Sequence, residues 1–220
     1  MVKIEKNYVK LQKELKELSL VSGKTVPEIL VVTKNQSVDD VNLLIKTCDI
    51  KAIGENKFQE AKDKSPALLP VEKHFIGRVQ SNKIKGIVEL FDWIQSVYKM
   101  KHLELINRSA DEFGKMVDVL VQVNISAEEQ KGGVAFDEAE RFLRGTRILS
   151  NVRVRGLMGM AANSEDCEVV RSEFAKLRRL FDILKDQYSL DTLSMGMSND
   201  YQIAVEEGST LLRIGSRIFR

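Results

Sequence analysis

The chain has 220 residues, 43% of them hydrophobic, which is apolar mass enough for one sizeable core and suits a single domain over 1–220. Lys+Arg 34 against Asp+Glu 32 leaves a net charge of +2 with the signs interspersed, so there is no electrostatic footprint for nucleic acid or an anionic membrane. The two cysteines, Cys48 and Cys167, and the two histidines, His74 and His102, share no metal-type spacing, and no apolar run approaches the roughly 18 residues of a membrane span, which together read as a reduced, cytoplasmic protein without disulfide framework or metal site.

Residues 3–20 place Ile4, Leu11, Leu15 and Leu18 at helical spacing among lysines and glutamates, predicting an amphipathic helix ahead of the first strand. Ile29-Leu30-Val31-Val32 is continuously apolar, as a strand buried on both faces of a parallel sheet requires, and it runs into Thr33-Lys34. Lys34 then stands at the C-terminal end of a strand, where parallel α/β folds bind ligands, with its ammonium expected to be partly desolvated and nucleophilic. For a lone lysine, a solvated strand cap is the plainer reading.

Ser37 is a good N-cap for a helix burying Val41, Leu44 and Ile45. The alternation then repeats: strand 50–54 and helix 57–65, a strand ending at His74-Phe75-Ile76-Gly77 and a helix to about 89, strand 91–97 and helix 100–113. Val117, Val119, Val121, Val123 and Ile125 mark a fifth strand, followed by a flexible Lys131-Gly132-Gly133 loop and a helix over 135–147. Strand 152–158, helix 165–188, strand 192–196, helix 201–207 and strand 211–215 complete the chain, and no second domain is expected after Arg220. Eight strands alternating with helices predict a single closed (β/α)8 barrel of the TIM type with an extra N-terminal helix. An open doubly wound sheet is the alternative, disfavoured because no Gly-x-Gly-x-x-Gly opens the first crossover.

The strand ends collect Lys34, Asn56, Gly77, Asn124, Met158, Gly196 and Gly215 at one face. After the last two strands come two glycine turns, Ser194-Met195-Gly196-Met197-Ser198-Asn199-Asp200 and Arg213-Ile214-Gly215-Ser216, where barrels commonly hold a phosphate. A lysine beside a phosphate cradle suggests a phosphorylated carbonyl compound held as an imine. Pyridoxal phosphate and a sugar-phosphate aldolase substrate both fit. His74 offers itself as a proton relay, although a single strand histidine is more often a satisfied structural residue. Lys131 has the reach of a lid, with a solvated loop lysine the plainer reading, and Met158, Met160, Met195 and Met197 read as adaptable packing.

Val32-Thr33-Lys34, Gly54-Glu55-Asn56, His74-Phe75-Ile76-Gly77 with Gln80-Ser81-Asn82-Lys83, Val123-Asn124-Ile125, Arg155-Gly156-Leu157-Met158 and the two glycine turns together resemble, in register over nearly the whole chain, the pyridoxal phosphate homeostasis protein family. The resemblance implies a fold-type III barrel like the cofactor domain of alanine racemase, with pyridoxal 5'-phosphate as cofactor and Lys34 as the Schiff-base lysine. It further implies that Ser198, Gly215, Ser216 and the amide of Met197 hold the phosphate, that Arg213 faces the pyridine nitrogen, and that Asn56, His74 and Met158 line the ring, with Ser194 in the same cofactor-binding set. Two departures stand out: Ile218-Phe219-Arg220 closes the chain where the family has Ile-Phe-Gly and a few further residues, so a frayed last turn is expected, and Val79 replaces a more usual leucine.

An arginine opposite the pyridine nitrogen disfavours its protonation, because two like charges would be adjacent, so the ring is a weak electron sink. Racemases related to alanine racemase take a second acid/base from another domain, and the four tyrosines here, Tyr8, Tyr98, Tyr188 and Tyr201, fall on helices or away from the strand ends, Tyr201 excepted. An aldolase would need further acid/base residues beside the lysine. The sequence therefore reads as a monomeric carrier or buffer of pyridoxal phosphate, without catalytic residues of its own, that passes cofactor to pyridoxal phosphate-dependent apo-enzymes. A slow amino-acid racemase is the alternative.

Overall fold

Side chains alternate in and out along eight parallel strands, and that alternation decides what each surface of the sheet packs against. The strands are β1 (Glu28–Val32), β2 (Ala52–Glu55), β3 (Glu72–Phe75), β4 (Trp93–Val97), β5 (Val117–Val123), β6 (Val152–Gly159), β7 (Thr192–Met197) and β8 (Leu211–Ile214). They pair in sequence order, and β8 returns to β1 to close the barrel. Around it lie α1 (Lys3–Ser22), α2 (Val38–Cys48), α3 (Phe58–Lys64), α4 (Ile84–Leu90), α5 (Met100–Glu112), α6 (Ala139–Thr146), α7 (Cys167–Tyr188), α8 (Tyr201–Glu206) and α9 (Ser216–Phe219). The computed structural model describes residues 1–126 and 128–220. The expected (β/α)8 barrel with an added N-terminal helix is the fold found.

Outward residues carry the core. Val31, Ile53, Leu157, Leu193 and Ile214 pack with Leu44, Phe174, Leu177 and Ala204 of the helices, and Phe75, Ile94 and Val119 pack with Ile84, Ile87, Leu103 and Ile106. Each such side chain contributes about 1.5–3 kcal/mol by leaving water. The lumen holds two small apolar groups, Leu30, Ala52 and Leu211 against Ile76, and Trp93, Leu120 and Met158 against Met160. Between them lie the buried polar residues His74, Gln95, Gln122, Ser194 and Arg213.

Several boundaries differ from expectation. β1 stops at Val32, so Lys34 falls in the following turn. The loop at Lys131 is a 3-10 turn, Glu129–Lys131, and the helix expected over 135–147 is a 3-10 turn, Phe136–Glu138, leading into α6. The last turn is not frayed: it forms α9, with Ile218 fully buried. Asn7 on α1 donates its side-chain amide to the carbonyls of Ile218 and Arg220, both at 3.0 Å, satisfying helix-end acceptors. Glu14 of α1 accepts from both Tyr201 and Arg217 at 2.9 Å, so α1 fastens the two turns that follow β7 and β8.

A polar cluster supports the opposite side. Thr33 donates its hydroxyl to Glu55 Oε1 at 2.7 Å, and Lys64 Nζ donates to the Thr33 carbonyl at 2.9 Å, to Glu55 Oε1 at 3.3 Å and to Glu60 Oε1 at 2.6 Å. Burial pushes the Glu55 carboxyl up, with Thr33 and Lys64 drawing it partly back. Cys48 and Cys167 are free thiols. Among the described residues no helix is long and apolar enough to cross a membrane, and no group of His, Cys, Asp or Glu could hold a metal ion.

Ile218→Ala is expected to lower unfolding stability in urea by about 2–5 kcal/mol, and a loss below about 1 kcal/mol would show that α9 is not docked. Glu55 gives a pH signature. Its folded pKa is raised above the ordinary 4.5, so the native state loses stability relative to Glu55→Gln as pH rises from there through the folded value. The variant should therefore gain on the wild type with rising pH in urea titrations, and a constant difference from acid to neutral pH would contradict the buried carboxyl.

Candidate functional site

Beyond β1, Thr33 N–H still donates to the Gly54 carbonyl at 3.0 Å, which carries the ladder to the C-terminal mouth of the barrel. Gln36 N–H then bonds the Thr33 carbonyl at 3.1 Å, closing a turn with Lys34 and Asn35 at its corners. Asn35 takes φ 59, a left-handed conformation that asparagine tolerates. The turn lifts Lys34 clear of the strands, so its side chain is exposed rather than partly desolvated, and it makes no ion pair among the described residues. The neighbouring carboxylates are already engaged by Lys64.

β7 and β8 pair with Met197 opposite Arg213, which sets the two glycine turns side by side. Gly196 has φ 94, and a Cβ there would stand 2.4 Å from Ala204 Cβ, so the turn demands glycine on both counts. Met197 N–H donates to Asp200 Oδ1 at 2.5 Å, and Asp200 N–H returns to the Met197 carbonyl at 3.2 Å. The Met197 amide expected at the phosphate is thus occupied by a carboxylate. Among the described residues, the amides of Ser198, Asn199, Gly215 and Ser216 donate to no backbone carbonyl. Adjacent unpaired donors of this kind are the chemistry of an anion cradle.

Arg213 lies beneath these turns, 5% exposed. One terminal nitrogen donates to the Ser194 carbonyl at 2.9 Å and to Ser194 Oγ at 2.7 Å, and the other to the Gly159 carbonyl at 2.9 Å. Burial pulls its pKa down to about 10, with the charge of Asp200 opposing, so the guanidinium remains cationic at neutral pH. Burial pushes the Asp200 carboxyl up, against the pull of the Met197 amide and Arg213.

At the next strand ends, Asn56 Oδ1 is buried without a partner. Gly77 touches the same residue: a Cβ would stand 1.8 Å from the Asn56 carbonyl oxygen. Met158 and Ser194 are fully buried in the lumen below. His74 is not brought to the mouth. Its ring bonds Gln95 at 2.7 Å and Glu72 at 2.8 Å, stacks on Trp93 at 4.9 Å, and faces a cavity of about 720 Å³ at the N-terminal strand ends, lined also by Glu28, Arg155 and Thr192. That cavity is larger than the pocket of about 330 Å³ that lies beyond the ends of β3 to β6 at the C-terminal face and touches neither Lys34 nor the two glycine turns. Among the described residues, free amides, a buried guanidinium and an unpaired lysine come together at the C-terminal ends of β1, β7 and β8.

The smaller pocket holds Arg78, Tyr98 and Gln122, which the sequence reading missed, together with Met160, Lys131 and Gly132, of which Met160 and Lys131 had been weighed only as packing and as a loop lysine. Tyr98 was expected away from the strand ends, but it follows β4 directly and its ring backs Gly132, where a Cβ would meet it at 2.9 Å. Its place directly after the strand expected over 91–97 was the signal. Lys131 Nζ donates to the Ala161 carbonyl at 2.8 Å and pairs with Glu128.

A family model described as "Alanine racemase, N-terminal domain" matches residues 5–220. The pyridoxal phosphate homeostasis protein of Aquifex aeolicus (strain VF5) is 42% identical over 176 residues, covering 78% of this chain and 77% of that one. Its namesake from Pseudomonas aeruginosa is 34% identical over 223 residues, 100% of this chain and 96% of the relative. Among solved structures, PipY of Synechococcus elongatus PCC7942 without PLP matches at TM-score 0.89 and 30% identity, covering 99% of this chain and 100% of that one, and the PLP-bound form matches at 0.85. An alanine racemase from Clostridium difficile 630, at TM-score 0.79 and 12% identity over 99% of this chain and 56% of the racemase, shares the fold. Matched along nearly its whole length by model, relatives and structures alike, this chain belongs to the pyridoxal phosphate homeostasis protein family, within the alanine racemase N-terminal domain family.

Proposed function

We propose that this protein holds pyridoxal 5'-phosphate reversibly at the C-terminal mouth of the barrel and serves its homeostasis as a carrier or buffer rather than as a catalyst. One observation carries the reading: the buried Arg213 guanidinium lies under two adjacent turns of unpaired amides, with the free Lys34 amine at the neighbouring strand end. PLP-bound PipY and the names of the relatives support it. When bound, pyridoxal phosphate supplies an aldehyde that combines reversibly with a primary amine, and a ring that withdraws electrons.

The residues present fit that group. Ser198, Gly215 and Ser216 offer free amides and hydroxyls to the phosphate, and the Met197 amide joins them once Asp200 releases it. Lys34 presents its amine, and exposure to solvent suits exchange better than a sealed site does. Arg213 is cationic at neutral pH, and its place under the turns suits it to face the ring nitrogen and keep it unprotonated, which slows removal of a proton from any attached amine. Asn56, whose buried side-chain oxygen has no partner, would line the ring on this reading, with Met158 beneath it in the lumen. Tyr201 turns its hydroxyl outward to Glu14 and takes no part. On this reading the protein is a single domain over 1–220, acts as a monomer in the cytoplasm and hands its cofactor to pyridoxal phosphate-dependent apo-enzymes.

Tyr98 at the same mouth is the observation that favours the alternative, a slow amino-acid racemase, since a phenol can return a proton. Exchange of the α-proton of alanine or serine in deuterated water would show it, and its absence at high protein concentration is the expected result.

Borohydride reduction of the loaded protein followed by peptide mapping should place the label on Lys34, and a label elsewhere would contradict the site. Lys34→Ala should lose the label while keeping a weak affinity that inorganic phosphate competes away. Asp200→Asn should tighten retention at least about fivefold, the ~1 kcal/mol released when one like charge a few ångströms from the phosphate is removed. Equilibrium dialysis reads the change, and weaker binding would mean that Asp200 serves the ligand.

A further inference from the structure

We infer that Glu72, His74 and Gln95 form a positioning relay that runs through the barrel from its N-terminal mouth and orients Arg213 toward the cofactor ring; the inference rests on the cofactor reading above. Five side chains from four strands stand in line. Arg213 reaches Ser194 Oγ at 2.7 Å, Ser194 Oγ reaches Gln95 Oε1 at 2.8 Å, Gln95 Nε2 reaches His74 Nδ1 at 2.7 Å, and His74 Nε2 reaches Glu72 Oε1 at 2.8 Å. The first four are buried, and Glu72 alone meets solvent, its side chain 47% exposed on the rim of the N-terminal cavity.

Chemistry gives this line one direction. A guanidinium only donates, so Ser194 Oγ must accept from Arg213 and spend its single proton on Gln95 Oε1. The Gln95 amide nitrogen can then only donate, which leaves His74 Nδ1 bare and its one proton on Nε2, aimed at the Glu72 carboxylate. Every donor from the cation to the carboxylate points the same way, the arrangement in which hydrogen bonds in a low-dielectric interior strengthen one another. Stacking of His74 on Trp93, itself covered by Arg155 at 5.0 Å, fixes the imidazole plane. The bond from His74 is also the largest influence holding the Glu72 carboxyl below the usual range. A break at Gln95 would free Ser194 to rotate and leave the guanidinium held by carbonyls alone.

The test uses full-length protein with ¹⁵N-labelled histidine, His102→Gln serving only to assign the two signals. Without cofactor, His74 should show a protonated Nε2 and a bare Nδ1. Loading with pyridoxal phosphate should shift both His74 nitrogens and produce a visible absorption band. In Gln95→Leu the His74 shift should be lost and the band displaced, while borohydride still labels Lys34. Glu72→Gln, at the exposed end of the line, should displace both signals in the same direction by less, and it serves if Gln95→Leu does not fold. A His74 protonated on Nδ1 would overturn the relay, as would variants whose band and His74 response match those of the wild type. Failure of Lys34 to take the label in wild-type protein would count against the cofactor reading, and the tautomer of His74 would still decide the relay.

Discussion

A guanidinium buried in the middle of a barrel is the constraint on which this structure turns. Taking a charge out of water carries a penalty of several kcal/mol even after relaxation, so Arg213 can stay inside only if its donors are met. The carbonyls of Ser194 and Gly159 and Ser194 Oγ meet part of that demand, bonds to a charged group that return about 1.5–3 kcal/mol each. That demand explains why the lumen is polar where most barrel interiors are aliphatic: Ser194, Gln95 and His74 stand where branched apolar side chains would otherwise fill the layers. The same cation lies just beneath the free amides on which the proposed phosphate site rests.

The two ends of the barrel divide the labour. At the N-terminal end Arg153 and Arg155 converge on Asp118, and Arg155 also engages Asp191, so charged side chains brace the strand starts against one another. At the C-terminal end turns carry Lys34, Ser198 and Gly215, and α1 steadies two of those turns from outside through Asn7 and Glu14. A braced base and an amide-bearing opposite end are the arrangement that the proposed carrier role would use.

The barrel itself was legible because its outward strand residues and its helices follow simple periods, and because local signals such as the Ser37 cap, which accepts from Asp40 N–H at 3.1 Å, sit where they are needed. Lys34 and the two glycine turns drew attention as breaks that end strand patterns, whereas Arg213, inside the Leu211–Ile214 strand, was singled out only through the family resemblance. What stayed hidden was made by contacts across the barrel. Gln95 gains its meaning from Ser194, 99 residues away in the chain. His74 was read as a ring-lining residue, yet its bonds lead down to Glu72. The exposure of Lys34 depends on a left-handed Asn35, and the occupation of the Met197 amide on the rotamer of Asp200, neither of which a hydrophobic pattern reports.

The most direct measurement is a crystal structure of the protein loaded with pyridoxal phosphate. The account predicts density continuous with Lys34, the phosphate on the amides of Ser198, Gly215 and Ser216, and the ring nitrogen facing Arg213. Cofactor density in the larger cavity between Glu28, Glu72 and Arg155 at the opposite end, with the C-terminal mouth bare, would contradict it.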